Sequence, residues 1–444
     1  MQQKKAVGFG IGFLVLLLLS GCYLWREGHP PVQSAAPSGR ETVSGELVFW
    51  CWEQSMYAIL PQLESFKKAY PHVTVKPVIL THDDTYKKLL LANAANEGAP
   101  DVAALSGYYV DQYIEAGALD DLTDWVGPYR DKIVESKWPD VIKNGRYYAM
   151  PWDTGPVGMY YRRDVFEKAG LPTDSEAVSK LVATWDDYEK VGRLIKERTG
   201  VPMHTLPLST GVGANRLFEF ILAQQGLLYL DAEGNLAVRR QETVDTIRRI
   251  VDLHKAGLML DAEEATREWA SIMNEGRVAT VFGAPWMGGR IREVAPDSAG
   301  KWGVALMPAV TPGGARSAEA GGSYLGIPRQ SKNKQAARAF IEFFVGNAET
   351  QNRIYRTSDI FPSLLEAYED PMYDEPQPFF AGQHTRRLFV NLVRQAPPVY
   401  FSNDFRTMRD IANLEIYKTL YDKQTPEEAA ARMEQAIREK TNRK

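Results

Sequence analysis

The sequence predicts an α/β protein made of two lobes with a ligand cleft between them. A chain of 444 residues exceeds what one hydrophobic core usually supports, so we expect at least two lobes. Apolar strand-like runs alternate with helical patterns from Glu46 to Leu105, which is the order of a parallel sheet covered by helices. The strand-like segments Arg146–Met150 and Val157–Tyr161 are separated by the irregular, aromatic-bearing link Pro151–Pro156. Such a link predicts a chain that passes from one lobe to the other beside a ligand.

Three runs define the first predicted sheet. Glu46–Trp50 is continuously apolar, which is typical of a strand buried on both faces, and Val73–Leu80 and Asp101–Leu105 follow it with helical patterns in between. Ligands of such sheets collect at the carboxyl ends of the strands. The residues there are polar or aromatic rather than aliphatic, which suggests a hydroxyl-rich ligand such as a carbohydrate. They are Cys51, Trp52, Glu53, His82, Asp83, Asp84, Ser106, Gly107, Tyr108 and Tyr109.

Local signals mark the later elements. Asn144-Gly145 favours a two-residue hairpin turn, and Thr184 opens a capping box for a helix that Gly200 closes. Val278–Phe282 is predicted to be a buried strand that leads into Trp286. The other predicted elements are a hairpin around Gly234-Asn235, helices at Thr243–Ala256, Glu264–Asn274 and Asn333–Phe344, strands at Trp302–Met307 and Tyr324–Pro328, and a last helix opened by Thr425.

The composition excludes several classes of function. Hydrophobic residues make up 44% and charged residues 24% of the chain, which is ordinary for a globular protein. The net charge of −4 gives no reason to expect nucleic acid as a partner. The six histidines lack metal-ligand spacing, and the sequence has no phosphate-binding loop and no nucleophile elbow. We therefore expect no cofactor, no metal, no catalytic residue and no enzymatic activity.

The N-terminal segment is predicted to be a secretion signal outside the fold. Two lysines precede the small and apolar run Ala6–Leu19, which is too short to be a comfortable membrane span. The run ends in a Leu-Ser-Gly-Cys quartet at Cys22, which resembles the bacterial lipobox. Residues 1–22 are thus expected to form a lipoprotein signal peptide, with an uncleaved anchor helix as the alternative. Residues 23–45, rich in Pro, Ser, Ala and Gly, predict a flexible tether.

The two cysteines have separate predicted roles. Because Cys22 would carry the lipid, Cys51 has no partner, and the fold is expected to do without disulfides although it lies outside the cytoplasm. Cys51 ends an apolar strand, so we expect a buried and inert thiol rather than a nucleophile.

Three tryptophans in turn contexts are candidates for stacking on a sugar. Trp52, Trp152 and Trp286 each follow a strand and lie beside Gly, Pro or acidic residues. Sugar rings present apolar C–H faces and hydroxyl edges, which suit an indole combined with acidic and amide acceptors. The alternative for each tryptophan is a position in the core or at its rim. Trp185, in a helix first turn, and Trp302, in a strand, are predicted to be structural.

Several segments together carry a family resemblance. They are ELVFWCW, FKKAYPHVTVKPV, NEGAPDVAAL, NGRYYAMPWDTGPVGMYYRRDVFEKAGLP, TWDDYEKVGRLI, NEGRVATVFGAPW and GGSYLGIPRQSKNKQAARAFIEFF. In this order and behind a lipobox, they resemble the extracellular solute-binding lipoproteins of carbohydrate ABC importers, the maltose-binding-like family 1 solute-binding proteins. The resemblance runs from Glu46 to about Lys440. It implies a periplasmic-binding-protein-like fold whose two α/β lobes close over a ligand.

The resemblance also implies boundaries for the lobes. The N-terminal lobe would combine residues 46–150 with 327–380, and the C-terminal lobe would combine residues 157–320 with 385–444. Crossings between the lobes are expected near Met150–Pro156, near Ala320–Ile327 and within Phe380–Tyr400.

The expected substrate-binding residues come from the resemblance and from the strand ends. Those that match positions commonly lining the family's cleft are Trp52, Trp152, Asp153, Trp286, Gly322 and Ser323. Those added from strand ends and from a loop at a helix start are Glu53, Asp84, Tyr108 and Asn215. One departure is Arg162, where family members usually carry asparagine. A surface salt bridge is the expected role of Arg162, with contact to a partly acidic ligand as the alternative.

These observations predict a binding protein rather than an enzyme. The expected protein is a monomer, lipid-anchored to the cell membrane, that captures an oligosaccharide and hands it to the permease subunits of an ABC transporter. Within the family it resembles binders of lactose-like or arabinose-containing oligosaccharides. One alternative is a ferric or metal-chelate binder, because the pairs Tyr108-Tyr109 and Tyr160-Tyr161 can ligate iron. The other is a secreted glycosidase, since carboxylates are numerous enough to pair at the required spacing.

Overall fold

The computed structural model describes residues 42–207, 215–231, 233–441 and 443. The chain divides into a short N-terminal unit, Met1–Thr42, and the body of the fold, Val43–Lys444. The predicted signal peptide, the lipidation at Cys22 and most of the predicted tether lie outside the described residues. Within the described ranges, no helix combines the length and apolar character that crossing a membrane requires.

The strands of the body are short. They are β1 (Gly45–Trp52), β2 (Val73–Leu80), β3 (Val102–Ser106), β4 (Ile142–Lys143), β5 (Arg146–Tyr147), β6 (Ala149–Pro151), β7 (Gly158–Arg162), β8 (His204–Leu206), β9 (Met259–Asp261), β10 (Thr280–Gly283), β11 (Trp302–Ala305) and β12 (Ser323–Gly326).

The helices surround these strands. They are α1 (Glu53–Ile59), α2 (Leu63–Ala69), α3 (His82–Ala95), α4 (Val110–Glu115), α5 (Thr123–Val126), α6 (Arg163–Lys168), α7 (Ser175–Leu181), α8 (Trp185–Thr199), α9 (Arg216–Ala223), α10 (Gln241–Lys255), α11 (Arg267–Glu275), α12 (Pro285–Val294), α13 (Lys334–Val345), α14 (Ala348–Ser358), α15 (Thr385–Val393), α16 (Phe405–Leu420) and α17 (Pro426–Thr441).

Two sheets organise the body. The first has five strands in the order β2-β1-β3-β12-β6. Strand β1 runs parallel to β2 and β3, as the alternation of strands and helices predicts, whereas β12 is antiparallel to both β3 and β6. The second sheet has three strands in the order β10-β7-β11, and both outer strands are antiparallel to β7. The prediction of a mixed α/β fold is confirmed.

Burial in the first sheet explains its sequence pattern. In β3 every residue is buried, but in β1 the fully buried Leu47, Phe49 and Cys51 alternate with half-buried neighbours. The expectation that β1 is buried on both faces is therefore wrong, because its second face is only partly covered. Helix α13 covers the buried face, where the rings of Phe49 and Phe340 lie 4.9 Å apart. Cys51 is a free buried thiol, as predicted, and burial raises its pKa.

The structure contains the hairpin turn and the helix cap that the sequence predicts. Asn144 and Gly145 both have positive φ angles, 50° and 74°, and they join β4 to β5, as a two-residue hairpin requires. Thr184 forms the predicted capping box with Asp187, and α8 ends at Gly200 in the left-handed conformation. The hairpin predicted around Gly234-Asn235 is present but short: Leu230 forms an antiparallel bridge with Leu236, and Ala237 N donates to Tyr229 O at 2.9 Å.

Two chain segments connect the sheets side by side. Residues 152–157 link β6 to β7, and residues 306–322 link β11 to β12. The two segments are hydrogen bonded to each other, since Val157 N donates to Ala318 O and Ala320 N donates to Gly155 O, both at 2.9 Å. We call this pair of segments the crossing strands.

The third segment that crosses between the lobes lies earlier in the chain than Phe380–Tyr400, where it is expected. Thr154 N donates to Phe361 O at 3.1 Å, and Asp153 forms a bridge with Pro362, so a third segment meets the crossing strands there. Residues beyond it pack in one core with Tyr160 of β7 and Val304 of β11. They are Ala367, Tyr368, Met372, Tyr373 and Phe380. The expected lobe boundary at residue 380 is therefore placed too late in the chain.

Candidate functional site

A cavity lies where β1 and β3 end beside the crossing strands. It has a volume of about 560 Å³, part of it open to solvent. This is the place that the parallel arrangement of β1, β2 and β3 predicts for a ligand. The residues that line it are Trp52, Gln54, Ser55, His82, Ser106, Tyr108, Asp153, Trp286, Ala320, Gly322, Ser323 and Ile360.

Trp52 reaches this cavity from the first sheet. It is the last residue of β1 and directly precedes α1, so the chain turns at this position and the indole is left half-buried. Its ring lies 5.0 Å from the ring of His82 at a tilt of 58°. Burial lowers the pKa of His82, which favours a neutral imidazole beside the indole. Together the two rings offer a mostly apolar wall.

Trp286 reaches the cavity from the second sheet. Strand β10 ends at Gly283, Pro285 occupies the first turn of α12, and the half-buried indole follows immediately. A Cβ atom placed on Gly155 would lie 2.4 Å from Trp286 Cη2, so the indole rests directly on a crossing strand. A side chain at position 155 would therefore force the indole to move.

Asp153 and Ser323 line the same cavity as the two indoles and form its polar floor. Asp153 Oδ1 accepts hydrogen bonds from both the backbone N and the hydroxyl of Ser323, the first at 2.5 Å. Among the described residues no hydrogen bond reaches Asp153 Oδ2, which leaves this oxygen free to accept from a ligand hydroxyl. Burial raises the pKa of Asp153, while the Ser323 hydrogen bonds and the charge of Lys137 oppose that rise.

Tyr108 closes one side of the cavity. Its hydroxyl donates to Ala320 O at 2.8 Å, and its ring stacks on Phe405 with centroids 5.2 Å apart and nearly parallel planes. The guanidinium of Arg409 lies 4.9 Å from the same ring. Burial raises the pKa of Tyr108 to about 12. Tyr108 thus offers an edge of its ring to a ligand rather than a free hydroxyl.

Helix α16 contacts the first sheet's helices through charged residues. Arg406 pairs with Asp83 at 3.1 Å and lies over the ring of Tyr86. Just before the helix, Asn403 N donates to Asp111 Oδ2 at 2.9 Å. Sequence reasoning missed Arg406 and Arg409, because arginines near the C-terminal end of the chain carry no local signal that they will meet tyrosines about 300 residues earlier.

A second groove adjoins the cavity. It has a volume of about 1300 Å³, including open solvent, and shares Gln54 and Trp286 with the cavity. Its other lining residues are mostly polar or charged: Glu53, Tyr57, Gly289, Arg290, Arg292, Glu293, Thr357, Ser358 and Asp359. Trp286 therefore borders both spaces.

Trp152 is a predicted site residue that the structure places elsewhere. Its indole is 1% exposed and packs in the core of the first sheet. The backbone is extended here, so successive side chains point to opposite faces. Because Asp153 faces the cavity, the side chain of its neighbour must face away. The prediction that Trp152 stacks on a ligand is therefore corrected.

Three other predicted residues do not line the cavity. Asn215 is 2% exposed and donates to Glu219 Oε1 at 3.0 Å and to the Tyr229 hydroxyl at 3.2 Å, so its amide is used within the second core. Asp84 lies in the first turn of α3, where its backbone N bonds to the capping hydroxyl of Thr81. Glu53 is exposed and lines the adjoining groove instead.

Arg162 has neither of the roles expected for it. Its side chain is 1% exposed, pairs with Asp164 at 2.7 Å and donates to Met273 O at 2.7 Å. Its guanidinium also lies 5.4 Å from the centroid of the Trp302 ring. The salt bridge is therefore buried rather than superficial, and the charge does not face the cavity. Trp185 and Trp302 are fully buried, as predicted.

Comparisons with known proteins agree with this architecture. Residues 52–351 match the family model described as "Bacterial extracellular solute-binding protein". The chain is 27% identical to the arabinooligosaccharide-binding protein of Bacillus subtilis (strain 168) in an alignment 456 residues long, which covers 99% of this chain and 100% of the relative. It is 28% identical to the lactose-binding protein of Rhizobium radiobacter over 384 residues, which cover 82% of this chain and 86% of the relative.

A solved structure shows the same fold. The sugar-binding protein MalE of Xanthomonas citri superposes with a TM-score of 0.74 at 20% identity, covering 89% of this chain and 97% of that one. The two-lobed fold is thus confirmed. Since the family model covers more than half of the chain, family membership follows from the sequence match itself. The chain belongs to the family of bacterial extracellular solute-binding proteins, which are binding proteins that work outside the cytoplasm.

Proposed function

We propose that this protein captures an oligosaccharide in the cavity and delivers it to the permease subunits of an ABC importer. The observation that carries the proposal is that Trp52, from the first sheet, and Trp286, which follows a strand of the second sheet, line one cavity together with Asp153 and Ser323. Indole faces suit the C–H faces of sugar rings, and a free carboxylate oxygen suits their hydroxyls. Relatives named for binding arabino-oligosaccharides and lactose support the same class of ligand.

The proposed ligand contacts follow from the cavity. Trp52 and Trp286 stack on sugar rings, and Asp153 Oδ2 accepts a hydroxyl hydrogen. Gly322 and Ser323 form the backbone floor, and Tyr108 presents the edge of its ring. The adjoining groove beyond Trp286 takes further units of the chain.

A screen of ligands tests the proposal. Melting temperature is measured with arabino-oligosaccharides, lactose, malto-oligosaccharides and the ferric chelates that the alternative requires. A ligand present at 100 times its Kd stabilises the folded state by about 2.7 kcal/mol, so at least one oligosaccharide is expected to raise the melting temperature measurably. Stabilisation by a ferric chelate, and by none of the sugars, would contradict the proposal.

The tyrosine geometry weighs against the ferric alternative. A tyrosine that ligates iron must be a phenolate with a free oxygen, yet the hydroxyls of Tyr160 and Tyr161 donate to Ala284 O at 3.0 Å and Thr173 O at 2.8 Å. Both tyrosines are fully buried, and burial raises their pKa values. Among the described residues no group of three His, Cys, Asp or Glu side chains could hold a metal ion.

We further propose that the ligand draws the two lobes together. A ligand shifts such an equilibrium only if it contacts the closed state better, here by touching Trp52 and Trp286 at once. Small-angle scattering is expected to show a smaller radius of gyration at saturating oligosaccharide than without it. A sugar that leaves the melting temperature unchanged is the control. An identical radius at saturation would mean that the site is rigid or already closed.

Lipid attachment at Cys22 is proposed as the means of membrane anchoring. A Cys22→Ala variant expressed in a bacterial host is expected to appear as folded protein in the soluble fraction, because the lipid would be its only anchor. Cys51→Ala is the matched control, since Cys51 is buried in β1 and lies outside the lipobox. Equal amounts of Cys22→Ala and unaltered protein in the membrane fraction would rule out this anchor. The protein is further proposed to act as a monomer.

A further inference from the structure

A buried lysine lies beneath the cavity floor. Lys137 is 0% exposed, and its ammonium donates to Gly321 O. Its Nζ also lies 3.7 Å from Asp140 Oδ2, 3.8 Å from Glu319 Oε1 and 5.0 Å from the centroid of the Tyr324 ring. Burying an ammonium is costly, and replacing a buried ion pair by apolar residues is often neutral or stabilising. General stability is therefore a poor explanation for this charge.

The lysine contacts the segment that presents Ser323 to Asp153. Gly321 and Gly322 have φ angles of 105° and 90°, a conformation that side chains other than glycine rarely adopt. A Cβ atom on Gly322 would lie 3.2 Å from Lys137 Nζ and 2.7 Å from Asp153 O. The next residue, Ser323, donates two hydrogen bonds to Asp153 Oδ1. The ammonium thus holds the turn that fixes the floor of the cavity.

The charges around this turn are unbalanced. Lys137 faces the buried carboxylates of Asp140, Asp153 and Glu319. Glu319 is itself held in the crossing strands, because its Oε2 accepts from the Thr154 hydroxyl and its Oε1 from Gly155 N, both at 2.8 Å. Asp140 accepts from the Tyr324 hydroxyl. Without the ammonium, three carboxylates would share one buried site.

We propose that Lys137 is a positioning residue for ligand binding, which fixes the Gly321-Gly322 turn against Asp153. Its positive charge also favours the ionised form of the Asp153 carboxylate, which is the hydrogen-bond acceptor. This inference rests on the proposed function, in that Asp153 is taken to bind a ligand hydroxyl. A charged acceptor forms a stronger hydrogen bond than a neutral carboxyl group. Lys137 therefore influences affinity without touching the ligand.

The dependence of affinity on pH follows from these contacts. Burial raises the pKa of Asp153, Lys137 and Ser323 lower it, and Glu319 raises it. Because the ionised form is the acceptor, affinity should be full above this pKa and be lost as the pH falls through it. Removing the lysine moves that loss to higher pH. Removing the charge of Glu319 moves it to lower pH.

Three other titratable groups near the cavity floor are Cys51, His82 and Asp140. Burial keeps the Cys51 thiol neutral and lowers the pKa of His82, which lines the same cavity. Burial raises the pKa of Asp140 to about 6, so Asp140 titrates in the range of the experiment. Lys137 lowers the pKa of Asp140 and Glu319 raises it, so the same variants shift the titration of Asp140 in the same directions. Carbon NMR separates the titration of Asp153 from that of Asp140, because the carboxyl resonance of Asp153 is the one that disappears in Asp153→Asn.

The test compares the full chain with Lys137→Met, Glu319→Gln and the double variant. Affinity for the best oligosaccharide of the screen is measured by calorimetry between about pH 4 and pH 8. An opposite charge a few ångströms away shifts a carboxyl pKa by about 1 to 3 pH units. The midpoint of the affinity loss is therefore expected to rise by about 1 pH unit in Lys137→Met, to fall in Glu319→Gln and to return towards the original value in the double variant.

A purely structural role predicts a different pattern. Lys137→Met would then lower the affinity by the same factor at every pH, and an unmoved midpoint would overturn the proposal. If Lys137→Met alone does not fold, the double variant is compared with Glu319→Gln, and equal midpoints in these two overturn the proposal. Carbon NMR of the ligand-free protein follows the titration of the Asp153 carboxyl group directly, so it tests the effect of Lys137 independently of sugar binding. If no sugar binds, the proposed function fails, while the NMR titration still tests the effect of Lys137 on Asp153.

Discussion

Replacing Trp286 with alanine is expected to lower the affinity for oligosaccharide at least tenfold while the melting temperature of the ligand-free protein changes little. The indole borders both the cavity and the adjoining groove, and it is half-buried rather than part of the core. By analogy with base–aromatic stacking, losing one stacking ring costs about 1–3 kcal/mol, or a factor of about ten to over a hundred. Pro285 fixes the backbone just before the indole, which limits the entropy lost when a sugar stacks on it.

Titration calorimetry measures the affinity of Trp286→Ala, and scanning calorimetry measures its stability. Trp125→Ala is the matched control, because Trp125 is also half-buried but lines neither the cavity nor the groove. The control is expected to keep its affinity. If Trp286→Ala instead unfolds the ligand-free protein, that indole belongs to the core and its assignment to the site is wrong.

Trp185→Ala is expected to have the opposite effect, lowering stability by several kcal/mol with little change in affinity. Its side chain is 0% exposed, and its ring lies 5.2 Å from those of both Tyr188 and Phe282. Its Nε1 donates to Gln224 Oε1 at 3.0 Å, so the variant also leaves a buried amide without this partner. Truncating a buried tryptophan typically costs about 3–5 kcal/mol.

Urea denaturation measures the loss of stability in Trp185→Ala, and titration calorimetry measures the affinity of the folded fraction. Trp185→Phe is the control, since it keeps most of the ring packing and should lose less. A normal denaturation midpoint with a weakened affinity would show that Trp185 acts on the ligand and not on the core.

Local sequence patterns predicted much of the fold correctly. Before Leu105, apolar strand-like runs alternate with helical patterns, and this alternation predicted the parallel pairing of β1 with β2 and β3. Strand and helix patterns can both be recognised within a short stretch of sequence. The hairpin at Asn144-Gly145 and the cap at Thr184 were predictable for the same reason. The antiparallel β12 was not, since its partners lie more than 170 residues earlier in the chain.

The site was predictable only in part. Trp52, Asp153, Trp286 and Ser323 were identified from strand ends and from the resemblance, and the structure places all four around one cavity. Trp152 was misplaced, because a sequence cannot show which of two adjacent residues in an extended segment faces the ligand.

Lys137 carries no sequence signal at all. A lysine in a polar stretch is normally exposed. Its burial depends on Glu319 and Gly321, which are more than 180 residues away in the chain. The same holds for Arg409, whose contact with Tyr108 exists only in the folded protein. Contacts between charged side chains that lie so far apart in the sequence are visible only in the folded structure.

The most direct test of the central claim is titration of the protein with the oligosaccharide selected by the screen, followed by analysis of the recovered sugar. We expect saturable binding of one ligand per chain, loss of measurable heat in the double variant Trp52→Ala/Trp286→Ala, and recovery of the sugar at its original length. Unchanged binding by the double variant would contradict the assignment of the site. Recovery of shortened sugar would contradict the expectation that the protein binds its ligand without cutting it.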